Sequence, residues 1–197
     1  MTGTARAGMG TLIDTLRSLC LAGTNDYTLG THVYFSSGHI QEVLDRYQTR
    51  IINCELTEVP KHAGGGSVEY YEFQAGFPNW ESGTARFVIE DSTGADIAGT
   101  LYDADYANGV ITFTADQQGS ARYLSGYVYD MNAAAADLWR MKASHYSMGC
   151  NFRTDNMQVD RGRLIDNCLT MAKDYASRAG ARVITLGRDD STIFGEL

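Results

Sequence analysis

The chain has 197 residues, 44% hydrophobic and 20% charged, which suffices for one core that needs neither disulfides nor a metal. Its net charge is -8, from 24 acidic against 16 basic residues, and no cluster of Lys and Arg occurs, which argues against a protein that wraps nucleic acid through phosphate contacts. No run of about 18 apolar residues exists, so no membrane span is expected.

Met1 to Gly10 is small and polar, with no apolar run suited to a signal peptide, and reads as loose. Leu12, Ile13, Leu16, Leu19 and Cys20 then recur at helical spacing. Gly23 to Gly30 reads as a loop around Asn25 and Asp26. A second helix is predicted from an N-cap at Ser37, with Ile40, Val43, Leu44 and Tyr47 as its apolar stripe. After Arg50 the period changes: Ile52, Cys54 and Leu56 alternate with Asn53, Glu55 and Thr57, the pattern of a half-buried strand.

The stretch from Val59 to Tyr129 reads as β structure. His62 to Ser67 is a glycine-rich loop, and Val68 to Phe73 is a tyrosine-bearing strand. Arg86 to Glu90 is another strand, closed by the turn Asp91-Ser-Thr-Gly94. Ile97 to Tyr102 and Val110 to Thr114 are predicted to flank a loop at Asp103 to Gly109, and Tyr123 to Tyr129 is the last strand. Helical period returns with Met131, Ala134, Ala135, Leu138, Trp139, Ala143 and Tyr146 on one face, and Asp130 stands where a carboxylate favours a helix N-terminus. A final helix carries Leu164, Ile165, Cys168, Leu169, Ala172, Tyr175 and Ala176, with Gly180 as its C-cap.

The fold class expected is therefore α+β: a helical core, an inserted antiparallel β-hairpin or sheet unit, and an extended C-terminal tail. The divisions are residues 1–50 (N-terminal segment and helices), 51–129 (β unit), 130–180 (two core helices) and 181–197 (tail). The tail carries Val183, Ile184 and Leu186, which could add to a partner's sheet edge, and ends on Ile193, Phe194 and Leu197.

No constellation for catalysis, cofactor binding or metal binding is found. There is no H-E-x-x-H, no G-x-S-x-G and no phosphate loop. Asp103, Asp105 and Asn108-Gly109 fail the calcium-loop pattern, because Ala107 stands at a ligand position, and a hairpin turn is the better reading. Cys150 and Cys168 with His145 match no zinc spacing. All four cysteines (Cys20, Cys54, Cys150 and Cys168) sit in apolar contexts that suit reduced, buried thiols of a cytosolic product. His32 and His39 lack an evident partner nucleophile. The tyrosines Tyr70, Tyr71, Tyr102, Tyr106, Tyr123, Tyr127 and Tyr129 fit strand packing and interface contact equally. As a platform for single-stranded nucleic acid they have only Arg86 and Arg122 beside them.

Gly126-Tyr-Val-Tyr-Asp130, followed by Met131-Asn-Ala-Ala-Ala-Ala-Asp-Leu-Trp139, resembles the strand and Ala-rich helix of tailed-bacteriophage head-to-tail connector (adaptor, or head-completion) proteins. Asn151 to Asp155 and Val159 to Arg163 are similar to the loop after that helix in the family. The helix with Met171-Ala-Lys-Asp-Tyr-Ala-Ser-Arg-Ala179 is similar to the family's closing helix, and Asn108 to Phe113 resembles its inserted β segment. The resemblance implies a non-enzymatic virion protein of the neck, at the head-tail junction, made in the host cytoplasm. It implies a ring of identical subunits, commonly twelve, beneath the portal protein, with the next neck or tail protein docking below. DNA would pass through the channel without sequence-specific binding. It also implies that Val183, Ile184, Leu186, Ile193, Phe194 and Leu197 reach the portal, and that no cofactor is needed. The alternatives are another virion component, such as a tail-completion protein, and a small cytosolic ligand-binding domain built on the tyrosine-rich β unit.

Overall fold

A computed structural model describes residues 4–24, 26–29, 32–83, 85–148, 152–154, 157–159 and 161–180. The fold is α+β, as the change of hydrophobic period from 3.6 to 2 and back predicts. Helix α1 (Gly10–Cys20) buries Leu12, Ile13, Leu16 and Cys20. Strands β1 (Tyr27–Leu29) and β2 (His32–Tyr34) form an antiparallel hairpin, inside and just after the stretch read as loop. Its closure stacks Tyr27 on Tyr34, with ring centroids 4.4 Å apart. Helix α2 (Ser37–Asp45) buries His39, Ile40, Val43 and Leu44. Its cap is Ser36 and not Ser37: Ser36 is extended, and its Oγ accepts from His39 N at 3.3 Å.

The β unit hangs on a two-strand stem. Strands β3 (Gln48–Glu55), β4 (Thr57–His62), β5 (Val68–Gln74), β6 (Phe87–Glu90), β7 (Tyr102–Asp105), β8 (Val110–Phe113) and β9 (Tyr123–Tyr129) form two antiparallel sheets, ordered β3-β9-β6 and β4-β5-β8-β7. Gln48 pairs with Tyr129, and Asp130 N donates to Tyr47 O at 3.1 Å, so the chain enters and leaves the unit at one place. Only Leu56 separates β3 from β4, so one extended run serves both sheets. Between the sheets lies a core of Leu56, Phe73, Trp80, Phe87, Ile89, Ile111, Phe113, Leu124 and Val128.

Two strand expectations are corrected. Ile52 does not face the core: it is 62% exposed, while Ile51 packs against the inter-sheet core. The pairing shifts between Ile51 and Cys54, where Asn53 takes φ 50°, and such a bulge inverts the alternation beyond it. Ile97 to Leu101 is not a strand either. Ile97 N donates to Ile89 O, and the chain then turns as Leu101 N donates to Ala98 O. Strand β7 instead occupies part of the predicted loop, because the turn between β7 and β8 is tighter than expected. Asp105 Oδ1 accepts from Ala107 N at 3.1 Å and Asn108 N at 3.2 Å, and Gly109 supplies the positive φ of 69°. The hairpin-turn reading of Asp103 to Gly109 therefore stands.

Helix α3 (Met131–Ser147) is the hub of the helical layer, with α1 and α2 packed on it. Asp130 caps it, accepting from Ala133 N at 2.9 Å. Ala134, Ala135 and Ala136 are all buried, and their small side chains let neighbours approach closely on several sides. Strands β10 (Phe152–Thr154) and β11 (Met157–Val159) make a hairpin before helix α4 (Arg161–Arg178), which packs along α3 and ends two residues before Gly180. The helical core continues through Tyr129 to Met9, with Ala5 packed against it, so the described part of the N-terminal segment, from Thr4 on, is anchored and not loose.

Helix α1 ends on an unusual residue. Leu21 adopts the left-handed conformation at φ 49°, which favours glycine, and its side chain is 77% exposed. Lys142 Nζ closes this end, donating to Cys20 O at 2.8 Å and Leu21 O at 2.7 Å. Replacing Leu21 with glycine is expected to stabilise the chain by roughly 0.5–1 kcal/mol, raising the melting temperature by about 1–4 °C. Calorimetry on the variant checks this, and an unchanged or lower melting temperature contradicts it.

Candidate functional site

The densest polar cluster joins five parts of the chain. Arg6 comes from the segment before α1, Asp45 ends α2, Glu81 follows Trp80, Arg86 precedes β6 and Tyr129 ends β9. Glu81 is fully buried. Arg6 Nε donates to Glu81 Oε1 at 2.9 Å and Arg86 Nε to Oε2 at 3.1 Å, and the Tyr129 hydroxyl also donates to Oε2. The Arg6 guanidinium reaches Asp45 as well, Nη1 to Oδ2 at 2.9 Å and Nη2 to Oδ1 at 2.8 Å, a two-pronged grip suited to its planar fork.

Charge follows geometry here. Burial pushes the Glu81 carboxyl up, but hydrogen bonds from Arg6, Tyr129 and Arg86 more than offset it and hold the group below the usual carboxylate range. Asp45 behaves alike, burial being outweighed by Arg6. Burial and the neighbouring Glu81 carboxylate push the Tyr129 phenol well above its ordinary value. Two carboxylates are thus matched by two guanidiniums. With Glu81 shut off from solvent and both of its oxygens occupied, the cluster is suited to fastening rather than to general acid or base work.

The histidines separate. His39 lies in the helical core, stacked on Phe35 with centroids 5.9 Å apart and edge-on to Tyr34. His145, at the end of α3, stacks on Tyr27 at 3.6 Å. His32 contributes its backbone to β2, paired in register with Leu29. Cys20 and Cys168 are buried and unbridged, and burial pushes the Cys20 thiol up to about 12, which keeps it a thiol. Cys54 is half-buried in β3, and Cys150 lies outside the described residues. Among the described residues no group of three or more His, Cys, Asp and Glu is placed to hold a metal ion. No described helix is long and apolar enough to cross a membrane. An open cleft of about 320 Å³ beside the Asp91 turn is lined by Asn53, Glu90, Asp91, Ser92, Thr93, Gly94 and Tyr123. Its Asp91 carboxylate is already used by Thr93 N, Thr93 Oγ1 and Ala95 N.

No family model matches the chain, and no curated protein matches it either. What the molecule offers a partner must therefore be read from its own surface.

That surface has an apolar feature that periodicity hid. On α4, Cys168 and Ala172 are buried against α3, yet Leu164, Leu169 and Met171 remain 39%, 40% and 36% exposed. At about 100° per residue, Leu164 and Met171 lie on one side of the Cys168–Ala172 line and Leu169 on the other. The apolar arc of α4 is wider than its described neighbours α1 to α3 cover. Leu21 and Met148 add exposed apolar groups at the ends of α1 and α3. The predicted tail residues Val183, Ile184, Leu186, Ile193, Phe194 and Leu197 lie outside the described residues.

Proposed function

We propose that this chain is a structural, non-enzymatic virion protein of the head-to-tail adaptor kind. Copies of it form a ring, commonly of twelve, beneath a portal, extend the DNA channel and present a docking surface to the next tail component. The observation that carries this reading is the exposed apolar arc of α4, because a grouped set of exposed large apolar side chains on a folded domain marks a surface that partners cover. Two others support it. The layout of helices, a stem-mounted β unit and further helices agrees with the layout the sequence resemblance implies. The buried ionisable cluster around Glu81 is fully engaged in internal contacts.

Native mass spectrometry with purified portal rings tests the reading, comparing the full chain with one truncated after Gly180. The full chain is expected to join the portal in a multiple near twelve, and the truncated chain to bind far more weakly. A full chain that stays monomeric and ignores the portal overturns the adaptor reading.

A further inference from the structure

The chain's charge is held unevenly. Residues 51–129 carry eleven acidic side chains against three basic ones (Lys61, Arg86 and Arg122), a balance of -8 that equals the net charge of the entire protein. Of those three cations, Arg86 is paired with Glu81 and Arg122 donates to Gln117 Oε1. The rest of the chain is neutral as a whole.

Strand register places part of this charge on one face. Across the four-stranded sheet, Val59, Glu72, Thr112 and Asp103 form one row, and Thr57, Gln74, Val110 and Asp105 form the next. Both rows lie opposite Phe73 and Ile111, which point into the core. These two rows hold three carboxylates, no cation, and a ground of Thr, Val and Gln, with Lys61 and Glu69 paired beyond Val59. Thr57, Gln74, Asp103, Asp105 and Thr112 are exposed.

Helix α4 is the complement. It carries Arg161, Arg163, Lys173 and Arg178 against Asp166 and Asp174. At about 100° per residue Arg178 and Arg163 follow Leu164 and Met171 round that side, together with Asp174, which pairs with Arg178 Nη2 at 2.7 Å, so the flank is apolar with a single net positive charge. Arg163, Leu164, Met171 and Arg178 are exposed. A sheet face and an amphipathic helix flank are also shapes that pack on each other.

We propose that this flank of α4 seats on the outer face of the four-stranded sheet of a second copy of the chain. Arg163 and Arg178 face Glu72, Asp103 and Asp105, while Leu164 and Met171 cover Val59 and Val110. The contact joins different surfaces of two identical subunits. It is therefore heterologous, and repeated with the right rotation it closes a ring. The inference rests on the assembly reading above and names the interface that reading requires.

Two double variants test it by sedimentation velocity at low salt. One breaks the helix flank (Leu164→Glu with Met171→Glu) and the other breaks the sheet face (Glu72→Lys with Asp103→Lys). Asp105 is spared because it builds the β7–β8 turn, and circular dichroism confirms that both variants fold. The wild type is expected to self-associate, at least tenfold less tightly at about 0.5 M salt than at about 0.05 M, as screened charge pairs should. Each variant alone is expected to be monomeric. An equal mixture should give a heterodimer and nothing larger, since only one intact helix flank and one intact sheet face remain between them. A wild type that stays monomeric at every concentration overturns the proposal. So does a sheet variant that still associates alone, or a mixture that stays monomeric. If these fail while the wild type still loads onto the portal ring, the interface is wrong and the adaptor reading survives. Self-association of the expected kind without portal loading has the converse meaning.

Discussion

Replacing Glu81 with alanine is expected to lower the unfolding free energy by about 3 kcal/mol, because removing one partner of a buried ionic cluster strands the others. For a chain of this size that is a fall of roughly 6–12 °C in melting temperature. The loss should exceed that of Arg6→Ala, since Arg6 is about a third exposed and water can partly replace it, whereas the Glu81 carboxylate cannot be reached. The cluster also sets a pH response. Folding holds the Glu81 and Asp45 carboxyls below their ordinary values, so the unfolded chain takes up protons first as pH falls. Their contribution is complete above the unfolded carboxylate range, about pH 4–4.5, and is lost as pH drops through the folded values. Thermal melts at pH 7, 5, 4 and 3 should show a steep acid loss in the wild type and a shallower one in Glu81→Gln. Parallel curves for the two proteins would remove the cluster from any role in acid stability.

The second large effect centres on Trp80. It is 1% exposed, its Nε1 donates to Phe77 O at 2.6 Å, and its ring lies edge-on to Phe87 with centroids 5.7 Å apart. It can occupy that place because the β9 residue beneath it is Gly126. A Cβ there would stand 2.5 Å from Arg86 O and 3.2 Å from Trp80 ring carbons. Trp80→Ala is expected to cost about 3–5 kcal/mol through the cavity it leaves. Gly126→Ala is expected to cost about 1–3 kcal/mol through crowding. The two should not add. With the indole gone, the added methyl meets one obstacle instead of two, so Gly126→Ala should cost less in the Trp80→Ala background. Urea denaturation of the four proteins of this cycle measures the coupling, and simple additivity would refute the proposed contact between ring and glycine.

What the sequence discloses depends on how local the cause is. Strand β9 is legible to the residue, and so is Asp130 as the α3 cap, because alternation over seven residues and a carboxylate before an apolar series are local signals. The burial of Ile52 is misread because a single bulge at Asn53 inverts every side chain beyond it, and nothing before Asn53 announces it. The hairpin of β1 and β2 escapes because three-residue strands are too short to show a period. The Glu81 cluster is not legible at all. Its members stand at positions 6, 45, 81, 86 and 129, each an ordinary charged or aromatic residue in its own neighbourhood. The α4 stripe is read correctly as apolar, but spacing says nothing of how much of an apolar arc a neighbour will cover.

The stem on which the β unit hangs bears on how the chain comes off the ribosome. Helix α2 ends at Asp45 and its packing partner α3 begins at Met131, with the whole β unit between them. At about 5–20 residues per second, the apolar stripes of α1 and α2 emerge roughly 4–17 s before the helix that covers them. The β unit is contiguous in sequence and pairs mostly within itself, so it can form during that interval. Its closing pair, Gln48 with Tyr129, then delivers α3 directly onto the waiting helices. Synthesis order thus makes the β unit a jig on which the helical layer is assembled, and places the period of greatest aggregation risk before α3 is complete at Ser147.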